Sequence, residues 1–273
     1  MKILITGANG FIGRNLYKSL QACKQYEVIG LTRKDCDLTD CLQVNEYFKD
    51  KYFDIVIHTA INGGRRLIKD EPSIFHNNLV MAVNLLANKQ SFKYFFNFSS
   101  GAENNEAIDN GLYYAASKYI ITNMVRNYNW ARQFKIYGCF GVDEEPQRLI
   151  KSSILRYINK EPMVCNENKY MDFIYIEDVC TIIKHYINHI EDIGLLHEID
   201  LVYAEKYKLL GILNIINNLD NYKVDIIQVD TTLKNHYCGR FALDQIDALD
   251  RHIVGIHSGI KAVYNECKSM LHE

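Results

Sequence analysis

Proline is scarce in this sequence and closely spaced cysteine pairs are missing. Only three of the 273 residues are proline, so no proline-rich linker or low-complexity tract marks a domain boundary. The eight cysteines include no Cys-x-x-Cys pair and the nine histidines form no cluster, which argues against the common structural zinc motifs and predicts no metal site. Scattered cysteines are typical of buried thiols in a reducing compartment.

Long runs of one charge sign and long apolar runs are also missing. The formal net charge is -2, and a basic stripe of the kind that binds nucleic acid is not present. No apolar run reaches the length of a membrane span, and the first apolar strand begins at residue 2, which leaves no room for a signal peptide. We therefore expect a cytoplasmic protein without a nucleic-acid or membrane partner. A small anionic ligand stays possible, because its pocket needs only a few basic residues.

Short apolar runs alternate with helical periodicity in the first half of the chain. Strands are predicted at 2–6, 27–32, 53–58, 94–98 and 134–139, and helices at 44–49, 74–92 and 114–130, with a further helix after the first strand. This alternation is typical of an α/β protein with a Rossmann-type, doubly wound parallel sheet.

The pattern loosens after about residue 145. Helices are predicted at 148–159, 179–189 and 209–219, and strands at 173–176, 198–202 and 224–229. We expect a Rossmann domain at 1–145 and 173–202, interleaved with a smaller α+β substrate lobe at 146–172 and 203–273.

Three glycines join the first strand to the first helix in the segment GANGFIG. Gly7, Gly10 and Gly13 lie where a tight turn lets backbone approach a pyrophosphate at a helix N-terminus. The spacing is one residue longer than the usual dinucleotide fingerprint. The segment predicts a dinucleotide site; a glycine turn used only for packing is the alternative. The cofactor-binding candidates here are Gly7, Asn9, Gly10, Phe11, Ile12 and Gly13.

A basic turn follows the second strand. An acidic residue there would bind a ribose 2′-hydroxyl, but this chain has Arg33 and Lys34, which suit a 2′-phosphate. We therefore favour NADP(H), with NAD(H) as the less favoured cofactor. A solvated basic turn is the alternative, and Asp35 and Asp37 lie close by.

Together these motifs resemble the extended short-chain dehydrogenases/reductases of the NAD-dependent epimerase/dehydratase family. The segments TRKDCDLTD and FDIVIHTAINGG are most similar to those of GDP-L-fucose synthases and related nucleotide-4-keto-sugar reductases. The resemblance implies that Asp37 and Leu38 contact adenine, and that Thr59 and Ala60 lie along the cofactor. It also implies that Asn77 is a structural asparagine beside it.

The segments NFSSGAE and YYAASK match the catalytic serine and Tyr-x-x-x-Lys segments of this family. Tyr114 and Lys118 lie one helical turn apart, and an ammonium so close lowers the pKa of a tyrosine, which could then exchange a proton with the substrate near neutral pH. Ser100 would hydrogen-bond the same substrate oxygen, with Ser99 as its competitor. Taken alone, such a pair is more often a solvated helix face. The resemblance also gives Lys118 a contact with the nicotinamide ribose.

The second half should bind a nucleotide-diphosphate sugar through cations. The candidates are Arg148 and Lys151, one turn apart, and Arg240, each of which is alternatively a surface charge. The resemblance further implies a homodimer formed through the helices at 74–92 and 114–130.

The predicted function is NADPH-dependent reduction of a nucleotide-linked 4-keto-6-deoxy sugar. Epimerising members of the family carry a cysteine and a histidine where we align Ala102 and Arg148, and dehydratases carry Asp-Glu where Gly101 and Ala102 stand. We therefore expect reduction without epimerisation or loss of water. The alternatives are a nucleotide-sugar 4-epimerase with tightly bound NAD and a non-enzymatic, dinucleotide-sensing regulatory protein.

Overall fold

The computed structural model describes residues 1–65, 68–103, 111–192, 194–230, 236–240 and 253–270. The chain divides into two compact units. The first comprises 1–135 and 188–199, and the second comprises 136–187 and 200–273. Both this division and the predicted one interleave two parts of the chain. The structure groups 136–145, 173–187 and 200–202 with the second unit, whereas the prediction places them in the Rossmann domain.

The first unit is built on a six-stranded sheet, since apolar runs of five or six residues can be buried on both faces. The strands are β1 (Lys2–Thr6), β2 (Glu27–Leu31), β3 (Phe53–His58), β4 (Phe92–Ser100), β5 (Ala131–Ile136) and β9 (Glu198–Leu201). Their order in the sheet is β2-β1-β3-β4-β5-β9, and β1 pairs in parallel with β2 and β3, as does β3 with β4. The predicted α/β fold with a Rossmann-type parallel sheet is confirmed.

Helices connect these strands. They are α1 (Phe11–Gln21), α2 (Cys41–Phe48), α3 (Pro72–Ala87) and α4 (Tyr113–Val125). Leu16 and Leu20 on α1 are fully buried, as the four-residue spacing predicts. Asp40 caps α2 by accepting hydrogen bonds from two amides of its first turn. Pro72 begins α3, where its missing N–H has no helical partner to lose.

The structure corrects the end of α4 and the start of β5. The helix was expected to continue to residue 130, but it ends at Val125, and β5 begins at Ala131. The helix was predicted too long because Tyr128 and Trp130 continue its apolar pattern. In the structure these two rings lie after the helix and stack on each other, with centroids 4.6 Å apart. The strand was predicted to start too late because Arg132 and Gln133 are polar, although both are buried in the structure.

The second unit contains shorter elements. It has the two-stranded sheets β7–β10 and β6–β8, each parallel, and packs α5 against α7 and the last helix, α8. Its elements are β6 (Cys139–Phe140), α5 (Leu149–Ile158), β7 (Met163–Glu167), β8 (Ile174–Tyr175), α6 (Ile176–Asn188), α7 (Leu209–Asn217), β10 (Ile226–Asp230) and α8 (Gly255–Met270). Among the described helices, none is both long and apolar enough to span a membrane.

Candidate active site

The glycine turn between β1 and α1 is closed so tightly that side chains do not fit. Gly7 has a φ of +70°, and a Cβ there would lie 2.7 Å from the backbone of Ala60. A Cβ on Gly13 would lie 2.3 Å from the carbonyl oxygen of Gly7. At Gly10 the nearest atom would be 3.2 Å away, so this position is less restricted. Backbone packed so closely at the start of a helix fits the pyrophosphate of a dinucleotide.

A cleft of about 460 Å³ opens beside this turn. It lies at the carboxyl ends of β1, β2 and β3, where the strand order reverses and ligands bind in open α/β sheets. Its lining includes eight of the predicted cofactor residues: Gly7, Asn9, Gly10, Arg33, Asp37, Leu38, Thr59 and Ala60. Of the other predicted cofactor residues, Phe11, Ile12 and Gly13 form the first turn of α1, Lys34 lies in the exposed turn after β2, and Asn77, Tyr114 and Lys118 lie on α3 and α4.

Arg33 is held at the edge of the cleft by an acidic neighbour. Its Nη2 donates to Oδ2 of Asp37 at 2.9 Å, and its side chain is 76% exposed. The other carboxylate oxygen of Asp37 accepts hydrogen bonds from the amide and hydroxyl of Thr39. Those bonds and the arginine hold the pKa of Asp37 below its usual value. The guanidinium is therefore placed where a 2′-phosphate could reach it.

The predicted catalytic helix places a buried lysine beside a tyrosine. Nζ of Lys118 lies 5.9 Å from the ring centroid of Tyr114 and donates to the carbonyl oxygen of Phe98 on β4. Burial lowers the pKa of Lys118 to about 8, and the nearby carboxylate of Glu103 partly opposes this shift. The pair therefore does not lie on a solvated helix face.

Gly64 makes room for the tyrosine ring. Its φ is +69°, and a Cβ there would lie 2.9 Å from the ring of Tyr114. The residues on either side along this loop, Asn62 and Arg65, line the dinucleotide cleft. The loop after β3 therefore links Tyr114 to the cleft. Asn62, Gly64 and Arg65 were not predicted from the sequence, although the glycine pair at 63 and 64, five residues after the end of a buried strand, could have indicated them.

The two serines at the end of β4 have different partners. Oγ of Ser99 donates to Glu103 at 2.6 Å and lies 2.8 Å from Oγ1 of Thr122. Oγ of Ser100 accepts a hydrogen bond from the amide of Ala102 at 3.1 Å. Successive strand residues face opposite sides of a sheet. Ser99 is therefore part of a buried network on one face of the sheet, and Ser100 lies on the other face.

The asparagine that cross-links this region is Asn78, one residue after the predicted Asn77. Asn78 is fully buried, and its side chain bonds both the amide and the carbonyl of Asn62 and the hydroxyl of Ser117 on α4. Asn77, the predicted residue, is only partly buried. The cross-linking role therefore belongs to Asn78, because it is the member of the pair that faces the interior.

The predicted cations of the second unit differ in exposure. Lys151 is 8% exposed, and its ammonium donates to the carbonyl of Val142 at 2.8 Å and to Sγ of Cys267 at 3.0 Å. The structure therefore does not support Lys151 as a diphosphate ligand. Arg148, directly before α5, and Arg240 are exposed. The backbone amide of Arg240 donates to Asp200.

A buried carboxyl that sequence analysis missed lies near Arg148. Burial raises the pKa of Glu144 to about 8, while the charges of Arg148 and Lys151 oppose the shift. The burial of Glu144 is visible only in the structure, because nothing in the local sequence pattern predicts it. Part of the charge of Arg148 therefore acts within its own unit.

Comparison with known proteins finds a matching family and a similar relative. The family model described as NAD dependent epimerase/dehydratase family matches residues 3–199. A GDP-6-deoxy-D-talose 4-dehydrogenase from Aggregatibacter actinomycetemcomitans is 25% identical over 209 residues, which are 69% of this chain and 70% of that protein.

Two solved structures share the fold. The GDP-mannoheptose C4 reductase from Campylobacter jejuni with NADP bound has a TM-score of 0.80 at 16% identity, covering 98% of each chain. The UDP-glucuronic acid 4-epimerase from Bacillus cereus, in complex with UDP-glucuronic acid and NAD, has a TM-score of 0.75 at 18% identity, covering 99% of this chain and 100% of that one. The chain belongs to the NAD dependent epimerase/dehydratase family and is an oxidoreductase of the short-chain dehydrogenase/reductase type.

Proposed function

We propose that this protein reduces the 4-keto group of a nucleotide-linked 4-keto-6-deoxy sugar, with NADPH as the hydride source. The observation that carries the proposal is the buried Lys118 beside Tyr114, on a helix whose tyrosine packs against the loop that lines the dinucleotide cleft. A dinucleotide-sensing regulatory protein has no need of such a pair. The names of the relative and of the solved reductase favour a guanosine diphosphate sugar.

Each catalytic side chain has a separate task. NADPH, when bound, supplies hydride to the sugar carbon. The hydroxyl of Tyr114 gives its proton to the oxygen that was the ketone, and Ser100 holds that oxygen by a hydrogen bond. The ammonium of Lys118 stabilises the tyrosinate that remains. In the second unit, exposed Arg148 and Arg240 are the candidates for the diphosphate.

We further propose that the sugar is not epimerised or dehydrated. Inverting a carbon next to a ketone needs a general acid and a general base. The side chain of Ala102 has no proton to exchange, and Arg148 carries a guanidinium, a group that does not serve as a general base in proteins. A 4-epimerase with tightly bound NAD is the second candidate, because the chain shares its fold with the NAD-bound 4-epimerase.

The test supplies a GDP-linked 4-keto-6-deoxy sugar and NADPH in deuterated water. We expect NADPH oxidation and a product reduced at C4, without deuterium at C3 or C5. Conversion of a GDP-linked sugar with a C4 hydroxyl into its C4 epimer, with no nicotinamide cofactor added, would instead identify the epimerase. The absence of any turnover, together with tight dinucleotide binding, would favour the regulatory protein.

Tyr114→Phe tests the proton donor. We expect NADPH binding close to normal and kcat lower by at least about 100-fold, the lower range for losing an acid–base group. Tyr113→Phe is the matched control, since it removes the same atom one residue away. A large loss in Tyr113→Phe with a harmless Tyr114→Phe would contradict the assignment.

A further inference from the structure

Glu103 lies in the turn after β4 with its side chain only 8% exposed. Its amide donates to the carbonyl of Ser100 at 3.0 Å. Its Oε2 accepts hydrogen bonds from Ser99 at 2.6 Å and Thr122 at 2.7 Å, and its Oε1 pairs with the ammonium of Lys135 on β5. A buried carboxylate is costly unless donors surround it, and this one has several.

These contacts join the two elements that carry the catalytic residues. Ser99 is the strand neighbour of Ser100, and Thr122 lies one helical turn beyond Lys118 on α4. The same carboxylate therefore holds the end of β4 against the helix that carries Tyr114 and Lys118. A second bond fastens α4 to β5, where the side-chain amide (Nε2) of Gln133 donates to the backbone carbonyl of Thr122 at 2.8 Å.

Glu103 also supplies the negative charge that acts on Lys118. The β3 residue facing Lys118 is His58, whose pKa burial lowers to about 3, so it is neutral at working pH. On α4 itself the neighbour of Lys118 is the ring of Tyr114, and on β4 the lysine donates to the uncharged carbonyl of Phe98. Lys135, the charged partner of Glu103, is itself shared with Glu198 on β9.

We propose that Glu103 is a positioning residue for the reaction: it fixes the end of β4 against α4 and keeps the ammonium of Lys118 charged. This inference rests on the proposed function. It assigns a role to a carboxylate that does not line the dinucleotide cleft. Loss of its charge would let Lys118 give up its proton at a lower pH.

The first test compares pH profiles of kcat. Glu103→Gln keeps the shape of the side chain and removes the charge. Since an uncharged Lys118 no longer stabilises the tyrosinate, the loss of kcat should be at least about threefold greater at pH 8.5 than at pH 6.5. Glu198→Gln is the matched control, because it removes the other carboxylate from Lys135 and leaves Ser99 and Thr122 bonded. Its loss should not depend on pH. A pH-independent loss in Glu103→Gln would overturn the electrostatic role.

The second test needs no substrate. In protein labelled with ¹³C at the lysine ε-carbons, the signal of Lys118 is identified by its absence in Lys118→Arg. We expect it to titrate at a lower pH in Glu103→Gln than in the unmodified protein, and at an unchanged pH in Glu198→Gln. An unchanged midpoint in Glu103→Gln would overturn the inference. A protein that shows this shift but reduces no 4-keto sugar would contradict the proposed function alone.

If circular dichroism shows that Glu103→Gln does not fold, the double variant Ser99→Ala/Thr122→Val replaces it. This variant keeps the carboxylate and removes the two hydroxyls that join β4 to α4 through it. We expect kcat to fall at least about tenfold with NADPH affinity unchanged, since misplaced catalytic groups are costly. A kcat within about twofold of the unmodified protein would overturn the positioning role.

Discussion

Arg33 is the residue on which we expect the choice between the two nicotinamide cofactors to depend. Its guanidinium is paired with Asp37 in the structure, at the edge of the cleft. A 2′-phosphate carries more charge than one carboxylate and can accept a bidentate arginine. The phosphate would therefore compete for Arg33, and the preference for NADPH is expected to come from that exchange.

Arg33→Ala should remove most of the preference for NADPH over NADH. A charge-assisted hydrogen bond contributes about 1.5–3 kcal/mol, which corresponds to a loss of roughly 10- to 150-fold in NADPH affinity. Fluorescence titration with both cofactors measures it. Lys34→Ala removes an equal charge from a residue outside the cleft lining and should have a smaller effect. Equal or tighter binding of NADH by the unmodified protein would contradict the prediction.

At the scale of elements, α3 is tied to its surroundings through Asn78. One side chain bonds the loop after β3 and the helix α4 at the same time. Because these bonds are buried, removing the amide leaves several polar groups without a partner. The position of α4, the helix that carries Tyr114 and Lys118, therefore depends on a residue outside the cleft lining.

Asn78→Ala should lower the free energy of unfolding by about 1–3 kcal/mol, the usual penalty for leaving buried polar groups unpaired. Urea denaturation followed by circular dichroism measures the change. Asn77→Ala is the matched control and should change stability by less than about 0.5 kcal/mol, as partly exposed positions usually do. Equal losses in both variants would mean that the cross-link contributes little.

At the scale of the whole molecule, α3 and α4 offer apolar side chains on their outer surfaces. Val83 on α3 is 47% exposed, and its helix neighbours Leu79, Val80 and Leu86 are only partly buried. On α4, Met124 is also only partly buried. A helix apolar on most sides is usually buried on most sides. The homodimer implied by the family resemblance would cover this surface with a second copy.

We expect sedimentation or light scattering at micromolar concentration to show a dimer, and Val83→Asp to shift it toward monomer, since an interface rarely tolerates an unpaired buried charge. Leu42→Asp is the control: Leu42 is apolar and 76% exposed on α2, outside the expected interface. The unmodified protein sedimenting only as a monomer would count against the prediction, as would dissociation of the Leu42→Asp protein.

Local patterns in the sequence were enough to predict the fold class and much of the dinucleotide cleft. The spacing of Gly7 and Gly13 predicts a turn too tight for side chains, and the structure shows why each of the two must be glycine. The four-residue spacing of Tyr114 and Lys118 places them on one helix face. These features depend on residues close together in the chain, whose geometry follows from backbone rules alone.

Only the tertiary structure could distinguish between neighbouring residues. Ser99 and Ser100 have the same chemistry, and so do Asn77 and Asn78. Which member faces the interior depends on how distant strands and helices pack, and a shift of one residue reverses the answer. The burial of Lys151 and the bonding of the Glu103 carboxylate could not be predicted for the same reason. Each depends on a partner from another element, Cys267 for Lys151 and Thr122 for Glu103.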